Sequence, residues 1–416
     1  MKIKAKYYFI YTVLLLLTVY ILVSCRDSNR KDKSEHSDYT IIKTLNDETN
    51  PSRETVSFQN IEIVPLETNE NCLISTVRSM YLKDSLIYIH DGSLKLFVFD
   101  RKGHFIRQIG SRGQGPEEYL ALNSFYIDDS DNSIVIADCM KMAFLYYDLE
   151  GRYKKKRDVY LDMINLLDKC ISVDNHKVLL NYTIYENPLP GNRDIAYNLL
   201  DLDNLKISDK KSYLPIKSLD AGYPIGKHPI NKLKKDVHFM MPNNDTIFSV
   251  ENDKFTVEYM IEHRQKMCPS DKYIISANNE DDPFRLAQRY SKQNLFTGFD
   301  GLYETENHIL LTYFAFDDGD YKGQSGFLAN KKKLEGKYFR LGVIDENSTS
   351  IPFFYDVICS DEKSFVSMID MNNFEYYKEL LKDNKNEGIA PLKSVLDYLE
   401  EDANPVLIFH TLADDY

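Results

Sequence analysis

Through most of this chain, apolar positions recur in short runs, many of them alternating with polar ones, and turn residues divide the runs. Ile61-Glu62-Ile63-Val64-Pro65-Leu66 alternates, and Leu73–Leu82 follows after a polar turn. Ser85–His90, Lys95–Phe99 and Phe105–Ile109 come next, then Leu122–Ile127, Ile134–Ala137, Ala143–Asp148 and Tyr153–Tyr160. Runs of this length, rich in Ile, Val, Tyr and Phe, predict β-strands. Asp128-Asp129-Ser130-Asp131-Asn132 separates two of them and Glu150-Gly151 closes a hairpin, as turn residues should.

Part of the pattern repeats. Phe99-Asp100-Arg101-Lys102-Gly103 is answered one unit later by Tyr147-Asp148-Leu149-Glu150-Gly151. Each copy reads as strand, Asp-x-x-Gly turn, strand. Each is preceded by a short strand ending in an acid, Leu86–Asp91 and Ile134–Asp138. A repeat of this size built only from strands points to a propeller blade rather than a helical solenoid.

Beyond Leu161 the repeat decays. Lys177–Tyr185 and Ala196–Asp201 read as strands around a Pro/Gly loop at Asn187–Asn192, and Leu219–Lys235 reads as a long inter-strand loop. Val237–Met241, Thr246–Val250 and Phe255–Ile261 form a fourth group. Gly298–Phe316, Gly326–Leu328 and Tyr338–Ile344 form a fifth, and Ile351–Cys359 with Ser364–Asp370 begins a sixth. Helical spacing occurs in Pro269–Gln293, at Phe284, Leu286, Ala287 and Tyr290, and again in Phe374–Asn384 and Leu392–Glu401. The strand near Ile61 and the last one, Val406–Leu412, are natural partners for closing a ring without exposed edges. The expectation is an all-β, six-bladed β-propeller over residues 56–416, with short helical insertions near the C-terminus.

The N-terminal residues carry an address. Lys2, Lys4 and Lys6 precede an apolar run from Tyr7 to Val23. An uncleaved membrane anchor is one reading of such a run. Its ending, Leu22-Val23-Ser24-Cys25, resembles the lipobox of bacterial lipoproteins, in which the Cys becomes the lipidated first residue. The resemblance implies a signal peptide over 1–24, lipidation at Cys25, and an outer-membrane lipoprotein that faces the periplasm or the cell surface. Arg26–Glu54 is polar with almost no apolar periodicity, so 25–55 reads as a flexible tether.

Composition narrows the partners. A formal net charge of −13 argues against nucleic acid, which needs a basic face. Trp is absent, which disfavours a sugar site built on indole stacking, although Tyr can also stack. Besides Cys25 the cysteines are Cys72, Cys139, Cys170, Cys268 and Cys359, spread without any C-x-x-C. That spacing offers no thiolate metal site and reads as single buried thiols, with one or two disulfides left open.

Phe97–Tyr119 carries a wider likeness. Its pattern, Phe-Asp-x-x-Gly-x-Phe-Ile-x-x-Ile-Gly-x-x-Gly-x-Gly-Pro-x-Glu-Tyr, resembles NHL-type repeats and, more closely, the six-bladed β-propeller lipoproteins of Bacteroides-like bacteria. EIVPLET at Glu62–Thr68, NNDTIFSV at Asn243–Val250 and NPVLIFH at Asn404–His410 agree with it. The resemblance spans Ile61 to Leu412 and implies a fold and an envelope location more than an activity.

Candidate chemistry is sparse. Gly110–Pro116 lacks the Gly-Lys-Ser/Thr and the receiving helix of a phosphate loop, so its glycines read as a tight connection. Asp128–Asn132 is oxygen-rich but lacks the spacing of a Ca²⁺ loop. Asp91 and Asp138 occupy matched places in consecutive units; they could ring a channel or simply bind backbone N–H groups. His90 beside Asp91 is the histidine best placed to join them. Tyr146-Tyr147, Tyr182 and Tyr185 could form a sugar platform or pack in strands. No G-x-S-x-G elbow is present. Two functions follow. The first is a lipid-anchored binding or scaffold module for a glycan, peptide or partner protein, with no cofactor. The alternative is a metal-dependent channel enzyme, lactonase- or lyase-like, with Ca²⁺ or Zn²⁺ held in the central channel.

Overall fold

The repeated Asp-x-x-Gly segments fold into matched turns. In the computed structural model, Asp100 Oδ1 accepts hydrogen bonds from the backbone N–H of Lys102 at 2.8 Å and of His104 at 3.0 Å. Gly103 follows at φ +88°, and Gly151 repeats this at φ +87° while Asp148 Oδ1 accepts from Arg152 N at 2.8 Å. Both glycines hold a left-handed backbone that a β-carbon would strain. The structure describes residues 39–53, 56–164, 167–174, 176–182, 195–212, 229–241, 244–269, 283–344, 350–353 and 356–413.

In chain order, β1 (Thr40–Thr44) and β2 (Asn60–Pro65) come first. Two four-stranded antiparallel meanders follow: β3 (Val77–Lys83), β4 (Leu86–Asp91), β5 (Leu96–Asp100) and β6 (Phe105–Gln108), then β7 (Ser124–Asp128), β8 (Ser133–Asp138), β9 (Ala143–Asp148) and β10 (Tyr153–Asp158). A short helix, α1 (Leu161–Ile164), leads to a third sheet of β11 (Leu167–Ser172), β12 (Lys177–Tyr182), β13 (Ile195–Asp201) and β14 (Lys206–Ser212). Next come β15 (Ile230–Leu233), β16 (Asp236–Met240), β17 (Thr246–Glu251), β18 (Lys254–Ile261) and β19 (Lys266–Met267). The helix α2 (Pro283–Ser291) and β20 (Leu295–Phe296) precede β21 (Gly301–Glu304), β22 (His308–Asp317), β23 (Asp320–Asn330) and β24 (Glu335–Arg340). The chain ends with β25 (Asp356–Ser360), β26 (Ser364–Ile369), helices α3 (Met371–Leu381) and α4 (Ala390–Tyr398), and β27 (Val406–Thr411).

These strands form a propeller-like arrangement in which four sheets are four-stranded: β3–β6, β7–β10, β11–β14, and β2 with β25–β27. In the last of these β2 pairs antiparallel with β27, Ile61 opposite His410, so residues near both ends of the chain share one sheet. The ninefold sheet runs β15-β16-β17-β18-β1-β24-β23-β22-β21. Its two antiparallel quartets are joined by β1, which pairs parallel to both β18 and β24.

Middle strands such as β8 and β9 are buried on both faces, which accounts for their apolar runs. Their side chains fill cores between successive sheets. Tyr88, Leu96 and Val98 of the first meander pack with Ile127, Ile136 and Leu145 of the second. The β2/β25–β27 sheet packs on the first meander, its Met368, Leu407 and Phe409 meeting Ile87, Ile89 and Phe97. Burying an aromatic or aliphatic side chain contributes roughly 1.5–3 kcal/mol, and each interface holds several.

Two expectations need correction. Arg26–Glu54 is not a tether throughout: Thr40–Thr44 is strand, Ile42 is fully buried, and Ser52 bridges to Phe339. Leu219–Lys235 is not all loop, since Ile230–Leu233 forms β15. The residues proposed as signal peptide, Cys25 and the Asn187–Asn192 loop lie outside the described residues. All five cysteines described are free, and all but Cys139 are buried.

Candidate functional site

The first strand of each four-strand unit faces a common space. Residues of β3, β7, β11, β15, β21 and β25 line a cavity of about 1120 Å³. Where these strands finish, ion pairs cross from one unit to another. Lys83 Nζ lies 2.5 Å from Asp129 Oδ1, and Lys232 Nζ lies 3.2 Å from Asp129 Oδ2 and 2.8 Å from Ser172 Oγ. Burial opposes ionisation of Asp129, yet Lys83 and Lys232 together hold its carboxyl below the usual range. Lys234 reaches Glu306 and Glu362, while Arg101 pairs with Asp361 at 3.1 Å and lies 3.5 Å over the Phe409 ring.

A buried cluster backs this end. Glu304, at the end of β21, is fully buried and accepts from His238 Nδ1 at 2.8 Å and Lys331 Nζ at 3.0 Å. Burial opposes charge on both groups. The mutual attraction prevails, so His238 titrates above its ordinary value, while His238 and Lys331 hold Glu304 below its own. Glu304 N donates to Ser360 Oγ at 3.0 Å, and Ser360 Oγ donates to Asn231 Oδ1 at 3.3 Å. Asn231 lines the cavity and is nine-tenths buried, and its Nδ2 has no partner among the described residues.

Where the strands begin, the wall is shaped by β-bulges. The ladder between β3 and β4 shifts register between Val77 and Ser79, and that between β11 and β12 shifts between Leu167 and Lys169. The ladder between β25 and β26 shifts between Val357 and Cys359. The extra residues are Arg78, Asp168 and Ile358, and all three line the cavity. A bulge redirects a side chain that strict alternation would have aimed elsewhere.

The residues expected in a channel are not there. Asp91, Asp138 and His90 sit on the second strands, β4 and β8, and none of them lines the cavity. Asp91 is fully buried and accepts from Ser75 N at 2.7 Å, Thr76 N at 3.1 Å, Ser93 N at 2.8 Å and both serine hydroxyls. Asp138 accepts from Leu120 N, Met140 N and Lys141 N at 2.7–3.0 Å. Each carboxylate ties the segment entering its unit to the turn after its second strand, so the backbone-binding alternative holds. His90 is buried opposite Ser79, and burial reinforced by the Arg78 charge brings it down to about 4, leaving it neutral.

Other candidates also resolve into structure. Gly110–Tyr119 is a self-satisfied loop. Glu118 Oε2 accepts from Gly115 N at 2.8 Å, Lys141 Nζ donates to Gly115 O at 2.6 Å, and Tyr147 OH donates to Glu117 O at 2.8 Å. Asp128 caps its hairpin by accepting from Ser130 N at 3.0 Å. Tyr146, Tyr147 and Tyr182 are buried packing residues, and Tyr185 lies outside the described residues. Among the described residues, no three His, Cys, Asp or Glu side chains gather as a metal site would require, and no helix is long and apolar enough to cross a membrane. Sequence reasoning missed Lys83, Arg78 and Lys232. The apolar spacing of Ile230 and Leu233 ahead of Val237–Met240 was the available signal for β15, the strand that carries Lys232.

The chain belongs to the family described as Domain of unknown function (DUF4934), which it matches over residues 40–411. That match begins at the first residue of β1. A protein of Bacteroides fragilis NCTC 9343 described as exported has a similar structure, at 19% identity and a TM-score of 0.66, covering 90% of this chain and 100% of that one. A member of the duf4221 family from Bacteroides vulgatus is similar at 10% identity and a TM-score of 0.50, covering 86% and 97%. Both likenesses concern the fold. No curated protein matches the chain.

Proposed function

We propose that this protein is a six-bladed β-propeller, lipid-anchored at Cys25 in the outer membrane, that serves as a binding or scaffold module for a glycan, peptide or partner protein. The blade count takes the ninefold sheet as two blades stitched by β1. Core clusters between successive units and the packing of the β2/β25–β27 sheet on β3–β6 support a closed ring. The lipobox at Leu22–Cys25 supports the anchor, and the exported Bacteroides fragilis protein of like fold is in keeping with an envelope location.

One observation carries the binding reading: a cavity of about 1120 Å³ to which the first strand of every unit contributes. That volume lies just above the usual range of small-molecule sites, about 300–1,000 Å³, and its wall mixes apolar and charged groups. The metal-dependent enzyme alternative draws no support from the described wall, which offers no three-ligand set.

The test is thermal unfolding of the mature protein with glycans, peptides and divalent ions, with EDTA as control. A ligand that binds only the native state raises the melting temperature. A shift with a glycan or peptide supports the module. A shift confined to Ca²⁺ or Zn²⁺ and reversed by EDTA would replace it with the enzyme reading. Loss of lipid labelling in Cys25→Ser tests the anchor.

A further inference from the structure

We propose that the bulged end of the cavity is a carboxylate-binding site in which Arg78 pairs with an acidic group of the ligand. This rests on the cavity being the binding site, and it names the chemistry that the cavity reads.

Arg78 occupies the bulge in β3, lines the cavity and is exposed to it. Among the described residues it has no hydrogen bond or ion pair. At the other end Lys83, Lys232, Lys234 and Arg101 are each paired with a carboxylate, while Lys363 lines the cavity there as an exposed cation. A guanidinium in a concave wall presents a planar fork of donors that fits a carboxylate bidentately, and such pairs are among the stronger hydrogen bonds. His90 behind it is buried and neutral, so it does not offer a competing charge.

Two neighbours refine the site. Asp168 enters from the bulge in β11, and Ile358 from the bulge in β25. The end is therefore not a broadly positive surface. It suits a ligand with one carboxylate beside hydroxyl, amine or apolar groups, rather than a polyanion. Further along the wall, the unpartnered Asn231 Nδ2 offers a donor to a ligand oxygen. A carboxylate of this kind could belong to an acidic sugar or to the C-terminus of a peptide.

The experiment titrates the mature protein by calorimetry with four probes: D-glucuronate, D-glucose, trialanine and trialanine amide. One acidic probe should bind more than about tenfold tighter than its neutral counterpart, given the strength of charge-assisted pairs. The sugar pair and the peptide pair tell the two sources apart. Arg78→Gln should lose that preference, Arg78→Lys should keep part of it, and Arg152→Gln, on the exposed turn between β9 and β10 and outside the cavity, should leave it intact. Because Arg78 makes no side-chain hydrogen bond or ion pair among the described residues, Arg78→Gln should melt like the wild type at neutral pH, so loss of binding would not reflect unfolding. Equal binding of acidic and neutral probes, or unchanged binding by Arg78→Gln, overturns the carboxylate assignment while leaving the cavity a binding site. No binding of any probe at millimolar concentration overturns both.

Discussion

The β3–β10 region and the ninefold sheet solve the same problem in different ways. In β3–β10, neighbouring units meet through apolar side chains and are fixed by local devices: Asp91, Asp138, the Gly110–Tyr119 loop and the paired turn glycines. Each device acts within a few dozen residues of itself. In the ninefold sheet the quartets also share an apolar core, but β1 is inserted between their outer strands as a strap. Asn46 clamps Tyr338 from both sides, its Nδ2 donating to Tyr338 O at 2.7 Å and its Oδ1 accepting from Tyr338 N at 2.6 Å. The buried charges differ as well. The regular region holds His90 neutral, while the strapped region holds His238 against Glu304. Repetition makes a propeller legible, but its irregular part depends on distant residues.

Breaking the strap should have the largest effect. Ile42→Asp places a carboxylate at a fully buried position beside Met240, Ile309 and Phe327, and should cost about 4 kcal/mol or more. It should also free the edges of β18 and β24, so the urea midpoint should fall and aggregation should rise. The equivalent insult to the regular region, Phe97→Ala, should cost about 3–5 kcal/mol without exposing an edge.

Glu304→Gln comes next. Removing one member of a buried ionic cluster costs about 3–5 kcal/mol, because Lys331 and His238 remain buried without their counter-charge. The midpoint in urea at neutral pH measures it.

The pH dependence separates His90 of the regular region from His238 of the strapped one by sign. His90 is neutral in the folded state, so its stability contribution is present above 6.5 and is lost as pH falls toward about 4. The loss should approach about 3 kcal/mol, shared in kind with the half-buried His263 and the buried His410, both held neutral. His238 works oppositely: its contribution is present below 6.5 and is lost as pH rises through its raised folded value. Glu304 contributes above 4.5 and loses that as pH falls through its lowered value. Urea midpoints across pH should show His90→Gln flattening the acid limb and His238→Gln the alkaline one.

The smallest comparison lies within the regular region. A β-carbon on Gly103 would lie 2.2 Å from Pro65 O, whereas on Gly151 its nearest neighbour would be Ile109 Cδ1 at 3.2 Å. Both substitutions to Ala strain a left-handed turn by about 1 kcal/mol, and Gly103→Ala adds a backbone clash. Gly103→Ala should therefore melt measurably lower than Gly151→Ala.

Much of this was readable in the residues. Alternation and turn chemistry marked β3–β10, and the Ile61 strand was correctly matched to Val406–Leu412. Phe284, Leu286, Ala287 and Tyr290 marked α2, and the two C-terminal helices were found. The strap was not readable, because Thr-Ile-Ile-Lys-Thr is a weak local signal whose partners lie at Tyr259 and Glu335. Asp91 and Asp138 fall away from the cavity wall for a different reason. Matched acids at Asp91 and Asp138 recur because both units satisfy the same backbone groups with them, so repetition reported architecture. The cavity wall depends on which strand lies innermost and on where bulges fall, and neither leaves a periodic mark.

The position of β1 also governs the order in which the molecule can be finished. Thr40–Thr44 leaves the ribosome before any of its partners, yet it cannot pair until β18 and β24 exist. Asn60–Pro65 must wait longer still, for β27. Pairings of such long sequence separation form slowly, because the chain must close a large loop before any contact rewards it. The meanders from β3 to β10 can assemble as they emerge, so β1 and β2, although made before them, pair after them. A nascent chain therefore carries β1 unpaired until β24 is made, and β2 unpaired until β27 is made.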